Sequence, residues 1–306
     1  MRLLAIGECM AEMAPTDRPG EYRLGFAGDT FNTAWYVARC SADMAVSYLT
    51  VVGDDAISLK MRAFMRDSGI DDRFVQVSPE RTIGLYLISL EDGERSFAYW
   101  RRQSAAKTLA DDADVLDAAM AASDCIYFSG ITLAVLMPQT RATLLNIIEQ
   151  ARAMGKTVVF DPNLRPKLWA GAAEMTTAIM QGARGSDIVL PSFEDEATWF
   201  SDETPMDTAL RYQAAGATTV VVKNGEGPVY YVDGKTSGEV PVTPVATVVD
   251  STAAGDSFNA GILARRAVGD PVAAGIAYAC ALSRAVVLSR GALAPIDPCD
   301  LAGGAG

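Results

Sequence analysis

The chain has 306 residues, half of them hydrophobic, which supports one large core but is short for three domains. Its formal charge is −12, and no long basic run breaks up the acids, so binding to nucleic acid phosphates is excluded as its main task. Histidine is absent, which removes Ser/His and Cys/His dyads and most zinc sites and leaves carboxylates, Lys, Tyr and Cys as proton acceptors.

The opening "MRLLAIGECM" is too short and too weakly charged for a secretory leader. No apolar run approaches a membrane span. The expectation is a cytoplasmic protein with no membrane partner. Its five cysteines are Cys9, Cys40, Cys125, Cys280 and Cys299. They are scattered, odd in number and without a C-x-x-C, as expected of reduced thiols and not of a disulfide framework.

Taken in order, "LLAIGE" (3–8) reads as a strand. "MAEMAPTDRPGEYRLGF" (10–26) follows as short extended pieces punctuated by Pro-Gly and Asp. A helix over 30–42, a strand over 45–53 and a helix over 55–68 come next. Residues 82–102 read as a hairpin turning at "EDGE". Strands at 125–130, 157–162, 187–192 and 218–225 then alternate with helices at 138–154, 172–183, 194–200 and 206–215. "GPVYYVDGKTSGEVP" is a further hairpin turning at Asp233-Gly234, and the tail "LAGGAG" should fray.

Apolar runs without alternation imply strands covered on both faces. Their repetition with helices implies a parallel sheet with right-handed crossovers. The fold expected is a three-layer α/β sandwich with a mostly parallel central sheet. Residues 1–306 form one domain, and roughly 10–26 and 82–102 make a small β lid over it. Ligands of such sheets sit outside the carboxyl ends of the strands.

Gly155-Lys156-Thr157 and Gly234-Lys235-Thr236 imitate the end of a P-loop, but Gln150 and Val229 stand where its first glycine belongs. The phosphate signal lies elsewhere, in "VVDSTAAGDSFNAG" (248–261). Val248 and Val249 finish an extended run. From Asp256 on, Phe258, Ile262, Leu263 and Ala267 recur at helical spacing. The loop therefore delivers Ala253, Ala254 and Gly255 to a helix N-terminus, where free N–H groups and the helix dipole favour an anion. A helix cap would explain Asp256 but not the run of small residues before it. Phosphoryl transfer explains both, with the carboxylate taking a hydroxyl proton and the amides holding the developing charge.

"DSTAAGDSFNAG" resembles the C-terminal signature of the ribokinase-like (PfkB) carbohydrate kinases, of pattern D-T-x-A-G-D. "IGECMAEM", "FAGDTFNTA" (26–34), "FAYWRRQSAA" (97–106), "YFSGITLAVL" (127–136) and "FDPNLRPKLW" (160–169) are similar in particular to the 2-keto-3-deoxygluconate kinases. The resemblance covers nearly the whole chain. It implies the α/β sandwich with a β lid, Asp256 as base, and the Ala254 and Gly255 amides as the anion hole. It also implies a small-molecule sugar acid and ATP as substrates, with Mg²⁺. Asp250 and Thr252 match positions that hold a monovalent cation, K⁺, in some members. A fructokinase- or ribokinase-type kinase of the same family is the alternative.

On the sugar side, Asp29 and Asn32 can pair with hydroxyls, and Gly28 lets a sugar approach. Tyr86, Tyr99 and Arg101 lie on the arms of the 82–102 hairpin. Tyr99 and Arg101 are two apart and should share a face. In so acidic a chain, Arg101 and Arg165 suit the carboxylate of a sugar acid, and the resemblance gives them that role. On the nucleotide side, Lys223-Asn224-Gly225-Glu226-Gly227 resembles the family's ATP-binding turn. Asn163 matches a position near metal and phosphates. The family's N-x-x-E metal motif departs here to "PSFEDEA", with Ser192 or Phe193 where Asn belongs. Either Asp195 or Glu196 then takes the glutamate's part, reaching Mg²⁺ through water, and Glu196 is the candidate. A lid sheet with open edges also predicts pairing of two copies into a homodimer.

Overall fold

The computed structural model describes residues 1–91 and 94–296. The turn residues Asp92 and Gly93, Cys299 and the 301–306 tail fall outside them.

Nine strands form the large sheet, in the order β13-β12-β11-β10-β9-β8-β1-β4-β5. In chain order they are β1 (Arg2–Ile6), β4 (Ala45–Gly53), β5 (Ile70–Ser78), β8 (Cys125–Ser129), β9 (Thr157–Asp161), β10 (Ile188–Val189), β11 (Thr219–Val222), β12 (Val229–Asp233) and β13 (Thr236–Val240). Those from β5 to β11 run parallel, and the β12–β13 hairpin adds antiparallel strands at one edge.

Both faces are covered, as the unbroken apolar runs predict. Leu4 and Ile6 face one layer, built from α3 (Ala113–Ala121), α4 (Gly130–Val135), α5 (Pro138–Ala153), α6 (Ala172–Arg184) and α8 (Pro205–Ala215). Leu3 and Ala5 face the other, built from α1 (Asp29–Cys40), α2 (Ala56–Asp67), α9 (Ala254–Ala267) and α10 (Val272–Val287). The short α7 (Phe193–Phe200) follows β10. Gly261 lets α9 and α10 close up, since a Cβ there would stand 2.6 Å from Ala279 Cα.

Four more strands form a separate sheet in the order β3-β2-β6-β7. They are β2 (Met10–Pro15), β3 (Tyr22–Ala27), β6 (Leu85–Glu91) and β7 (Glu94–Trp100). Each hairpin is antiparallel, and β2 meets β6 in parallel. The three-layer fold with its small second sheet is therefore as the sequence predicts. Four helices and strands escaped the periodic reading: β5, α3, the short α4 and α10. Strand β5 is a sheet edge and carries "IDDR", which reads as a loop. Helix α10 is apolar nearly all round because it packs on α9 and the sheet edge, so it shows no amphipathic stripe. Among the described residues no helix is long and apolar enough to cross a membrane.

Candidate active site

Strand β1 and the parallel strands beside it end in polar or small residues, and two helix N-termini converge on that edge. Helix α9 begins at Ala253, held in the left-handed region at φ 60° with no side-chain cap. The N–H of Ala254 is already engaged with the Ser251 carbonyl at 3.2 Å. The tight 251–254 turn thus removes Ala254 from the anion hole expected of it. The N–H groups of Gly255 and Asp256 have no partner among the described residues. The free amides begin one residue further along than the sequence implied.

Asp256 lies in that first turn. Asn32 Nδ2 donates to its Oδ2 at 2.7 Å, and Asn32 Oδ1 accepts the Gly28 N–H at 3.3 Å. Asn32 is therefore buried and occupied in orienting the Asp256 carboxyl, not open to a sugar hydroxyl on both ends. Burial, and then the charge of Asp29, push the Asp256 carboxyl up to about 8, against the Asn32 hydrogen bond and Lys223. A carboxyl so placed is poised near neutral pH as a general base.

Asp29 opens α1 across the same gap. Its Oδ2 accepts from Asn163 Nδ2 at 2.8 Å, and burial raises its carboxyl too. Asn163 sits at φ 34°, a strained position for a residue other than glycine, and this bond helps hold it there. The Gly28 expectation needs correction. A Cβ at Gly28 would strike the Glu8 carbonyl oxygen, so the glycine serves a backbone crossing before it serves a sugar.

Lys223 follows β11, and its Nζ reaches Asp161 Oδ1 at 3.4 Å and Asn259 Oδ1 at 3.1 Å. It also stands 3.8 Å from where a Gly255 Cβ would be, so a positive charge lies under the free amides. Asn259 Nδ2 bonds Asp161 Oδ2 at 2.8 Å. Neither Asp161 nor Asn259 was singled out from sequence as a site residue. The signal was present: Asp161 ends a strand, and Asn259 is one turn beyond Asp256.

Beside this lies a cleft of about 490 Å³ whose lining includes Ser192, Lys223, Gly225, Gly255, Val245 and Val287. Gly225 has φ 57° and needs to be glycine. Gly227 shapes the turn from behind, donating to the Asn224 carbonyl at 2.8 Å. Neither it nor Asn163 lines the cleft.

Glu196 is in the wrong place for a metal. It is 0% exposed, and its carboxylate accepts from Arg211 at 2.7 Å and Tyr212 at 3.0 Å inside the α7–α8 packing. One residue earlier, α7 turns Asp195 toward Arg165, 3.7 Å away, and toward the charges of Asp161 and Lys223. Glu194 lines the cleft itself, while Asp195 lies on the Arg165 side of α7. Asp250 is also committed. Its Oδ1 accepts the Thr252 N–H at 3.0 Å and hydroxyl at 2.7 Å, and its Oδ2 the Gly291 N–H at 2.6 Å. Among the described residues no cluster of three acids or thiols could hold a metal ion by itself.

The small sheet brings Tyr86 and Tyr99 side by side as cross-strand neighbours, ring centres 5.9 Å apart. Tyr86 is buried and donates to Glu12, while Tyr99 is 53% exposed. Arg101 lies past the end of β7 and turns inward to Glu8. It therefore does not share the open face of Tyr99, because the strand alternation stops at Trp100. Arg165 is half-exposed and anchored by its own loop, donating to the Leu164 carbonyl at 2.7 Å.

Residues 2–299 match the model of the pfkB family carbohydrate kinases. The chain is 35% identical over 302 residues to a 2-dehydro-3-deoxygluconokinase of Escherichia coli K12, covering 96% of this chain and 97% of that one. A PfkB protein from Polaromonas sp. JS666 superposes with a TM-score of 0.86 at 27% identity, over 99% of both chains. An E. coli protein described as a putative ribokinase II in complex with ATP and Mg²⁺ shares the fold, with a TM-score of 0.82 at 23% identity, over 95% of this chain and 94% of that one. With a match across almost its whole length, and with an aspartate and unpaired amides at the N-terminus of α9, this chain belongs to the pfkB family of carbohydrate kinases.

Proposed function

We propose that the protein transfers the γ-phosphoryl group of ATP to the terminal hydroxyl of 2-keto-3-deoxygluconate, giving the 6-phosphate. The observation that carries this reading is the Asp256 carboxyl, aimed by Asn32 and adjacent to the unpaired Gly255 amide. Asp256 takes the proton of the attacking hydroxyl. The Gly255 and Asp256 amides and Lys223 hold the charge of the transferring group. ATP fits the 490 Å³ cleft, with its phosphates toward Gly255. Tyr99 meets the sugar acid from the small sheet with Tyr86 packed beside it, and Arg101 and Arg165 reach its carboxylate from other elements. The name of the E. coli relative supports that choice of substrate.

The acids and amide around the phosphate position suit a hydrated Mg²⁺, with Asp195 and Asn163 holding its waters. Bound there, the ion would neutralise phosphate charge. K⁺ beside the Asp250–Thr252 loop belongs to the same reading, supported by its place just before the α9 turn. Activity in KCl against choline chloride tests it. The four-stranded sheet acts as a lid and pairs two copies, since its edge strands β3 and β7 expose Tyr22, Leu24 and Trp100. Light scattering reads the dimer. The site of action is the cytoplasm, where Cys9, Cys40, Cys125 and Cys280 stay free thiols, and cell fractionation checks it.

The test of the whole is incubation with Mg-ATP and a panel of sugar acids and neutral hexoses, read as ADP release and by mass spectrometry. A phosphorylated keto-deoxy acid is expected. Phosphorylation of fructose or ribose alone would move the protein to the neighbouring branch of the family.

A further inference from the structure

Glu8 takes no part in the proton transfer, yet it is only 2% exposed. It lies in the short connection from β1 to β2. The three other crossings between the large and small sheets all meet it. The return from β3 to α1 passes at Gly28, pressed on the Glu8 backbone carbonyl. The crossing into β6 passes at Gly84, where a Cβ would stand 2.7 Å from Glu8 Oε1 and 3.3 Å from Arg101 Cβ. The exit from β7 passes at Arg101, whose Nη2 donates to Glu8 Oε2.

The pair is bound by one contact only. Glu8 Oε1 and Arg101 Nε are both buried without a partner. An arginine and a carboxylate commonly close two parallel bonds, and a guanidinium has five N–H donors. Here Glu8 takes one of the five. Arg101 is fixed from behind and keeps donors for a second carboxylate. The pair has no net charge, so a sugar acid gains from it through geometry and not through a bare positive field. A guanidinium that wanders loses that gain.

We infer that Glu8 is a positioning residue: it holds Arg101 at the root of the small sheet and thereby sets the preference for a sugar acid over a neutral sugar. This rests on the reading of Arg101 as a carboxylate contact.

The test is a double-mutant cycle of Glu8→Gln and Arg101→Ala. It is assayed with 2-keto-3-deoxygluconate and with fructose, alongside amide exchange of residues 97–101 in the ligand-free protein. Loss of a partner behind a binding group costs about 10- to 100-fold in metal sites, and a KM increase of that order is expected for the sugar acid. The kcat and the KM for ATP should change little. In the Arg101→Ala background, Glu8→Gln should add nothing. Exchange at 97–101 should rise equally in both single variants and no further in the double. A purely structural Glu8 would instead lower Tm and impair ATP and sugar alike, and that result overturns the inference. So do additive losses or an unchanged KM for the acid. If the unmodified protein phosphorylates fructose and not the acid, the substrate reading fails by itself. The exchange cycle then decides the pair: non-additive exchange keeps Glu8 as the anchor of Arg101, and additive or unchanged exchange removes it. Should Glu8→Gln not fold, Glu8→Asp with Arg101→Lys completes the same cycle.

Discussion

The role proposed for Asp256 as base can be read through its acidity. Burial and the neighbouring Asp29 push Asp256 up to about 8. Only the ionised carboxylate accepts a proton, so roughly one molecule in ten is competent at pH 7 and one in a hundred at pH 6. With both substrates well below saturation, kcat/KM reports the free protein. It should rise about tenfold per pH unit and level off near pH 8. Asp29→Asn keeps an acceptor for Asn163 but removes the like charge, so the plateau should begin at lower pH. Asp256→Asn should lose about 10²- to 10⁴-fold in kcat. The same shift is a stability statement. The folded value lies above the unfolded one of about 3.9, so protonation-linked stability is complete below pH 4 and is lost as the pH rises through about 8. Asp256→Asn mimics the neutral form and should raise Tm over the native protein at pH 9 but not at pH 4. Stopped-time ADP assays and thermal scans across pH 4–9 measure both. A flat kcat/KM between pH 6 and 8, or an Asp29→Asn profile identical to the native one, would refute the argument.

Other outcomes follow from single contacts. Arg101→Ala leaves the bound carboxylate without its partner and should cost about 2–5 kcal/mol in kcat/KM for the sugar acid with the KM for ATP little changed; Arg165→Ala should cost less, because its charge is half in water. Equal losses with fructose would show that the arginines hold structure and not the carboxylate. Asp195→Asn should raise the Mg²⁺ concentration needed for half-maximal rate and spare Tm. Glu196→Ala should do the reverse, losing up to about 3 kcal/mol of stability since Arg211 keeps Asp202; a magnesium phenotype in Glu196→Ala would restore it as the metal acid. Gly255→Ala adds a methyl that meets only Lys223, at 3.8 Å, so Tm should hold while the KM for ATP rises; unchanged ATP kinetics would place the phosphates elsewhere.

Much of the frame is legible in the chain because its signals are local. A buried parallel strand is a short apolar run wherever it falls, and β4 keeps the bounds 45–53 that its sequence predicts. The α9 turn is local as well: small residues 253–255 and Asp256 belong to one loop. What fails is whatever depends on a neighbour far along the chain. Gly28 and Glu8 are 20 residues apart, and nothing in "AGDT" reveals that a carbonyl fills the space of the missing Cβ. Asn32 looks like a sugar ligand until α1 and α9 meet and its amide is spent on Asp256, 224 positions away.

Adjacent acids make the same point at closer range. Asp195 and Glu196 are equivalent in the motif, and the shorter side chain is the weaker stand-in for a glutamate. Successive helix residues differ by about 100° in direction, however, so the two cannot point the same way. Which one points inward is settled by the packing side of α7, where Arg211 and Tyr212 on α8 offer charge and hydroxyl to the fully buried Glu196. That buried network holds Glu196 inward, and its carboxyl, raised to about 7 by burial, marks how little solvent reaches it. Asp195 is left facing Arg165 by exclusion. The packing of α7 on α8 therefore decides that Asp195, and not Glu196, is the acid of this pair open to the proposed metal, though the contact itself has no part in that chemistry.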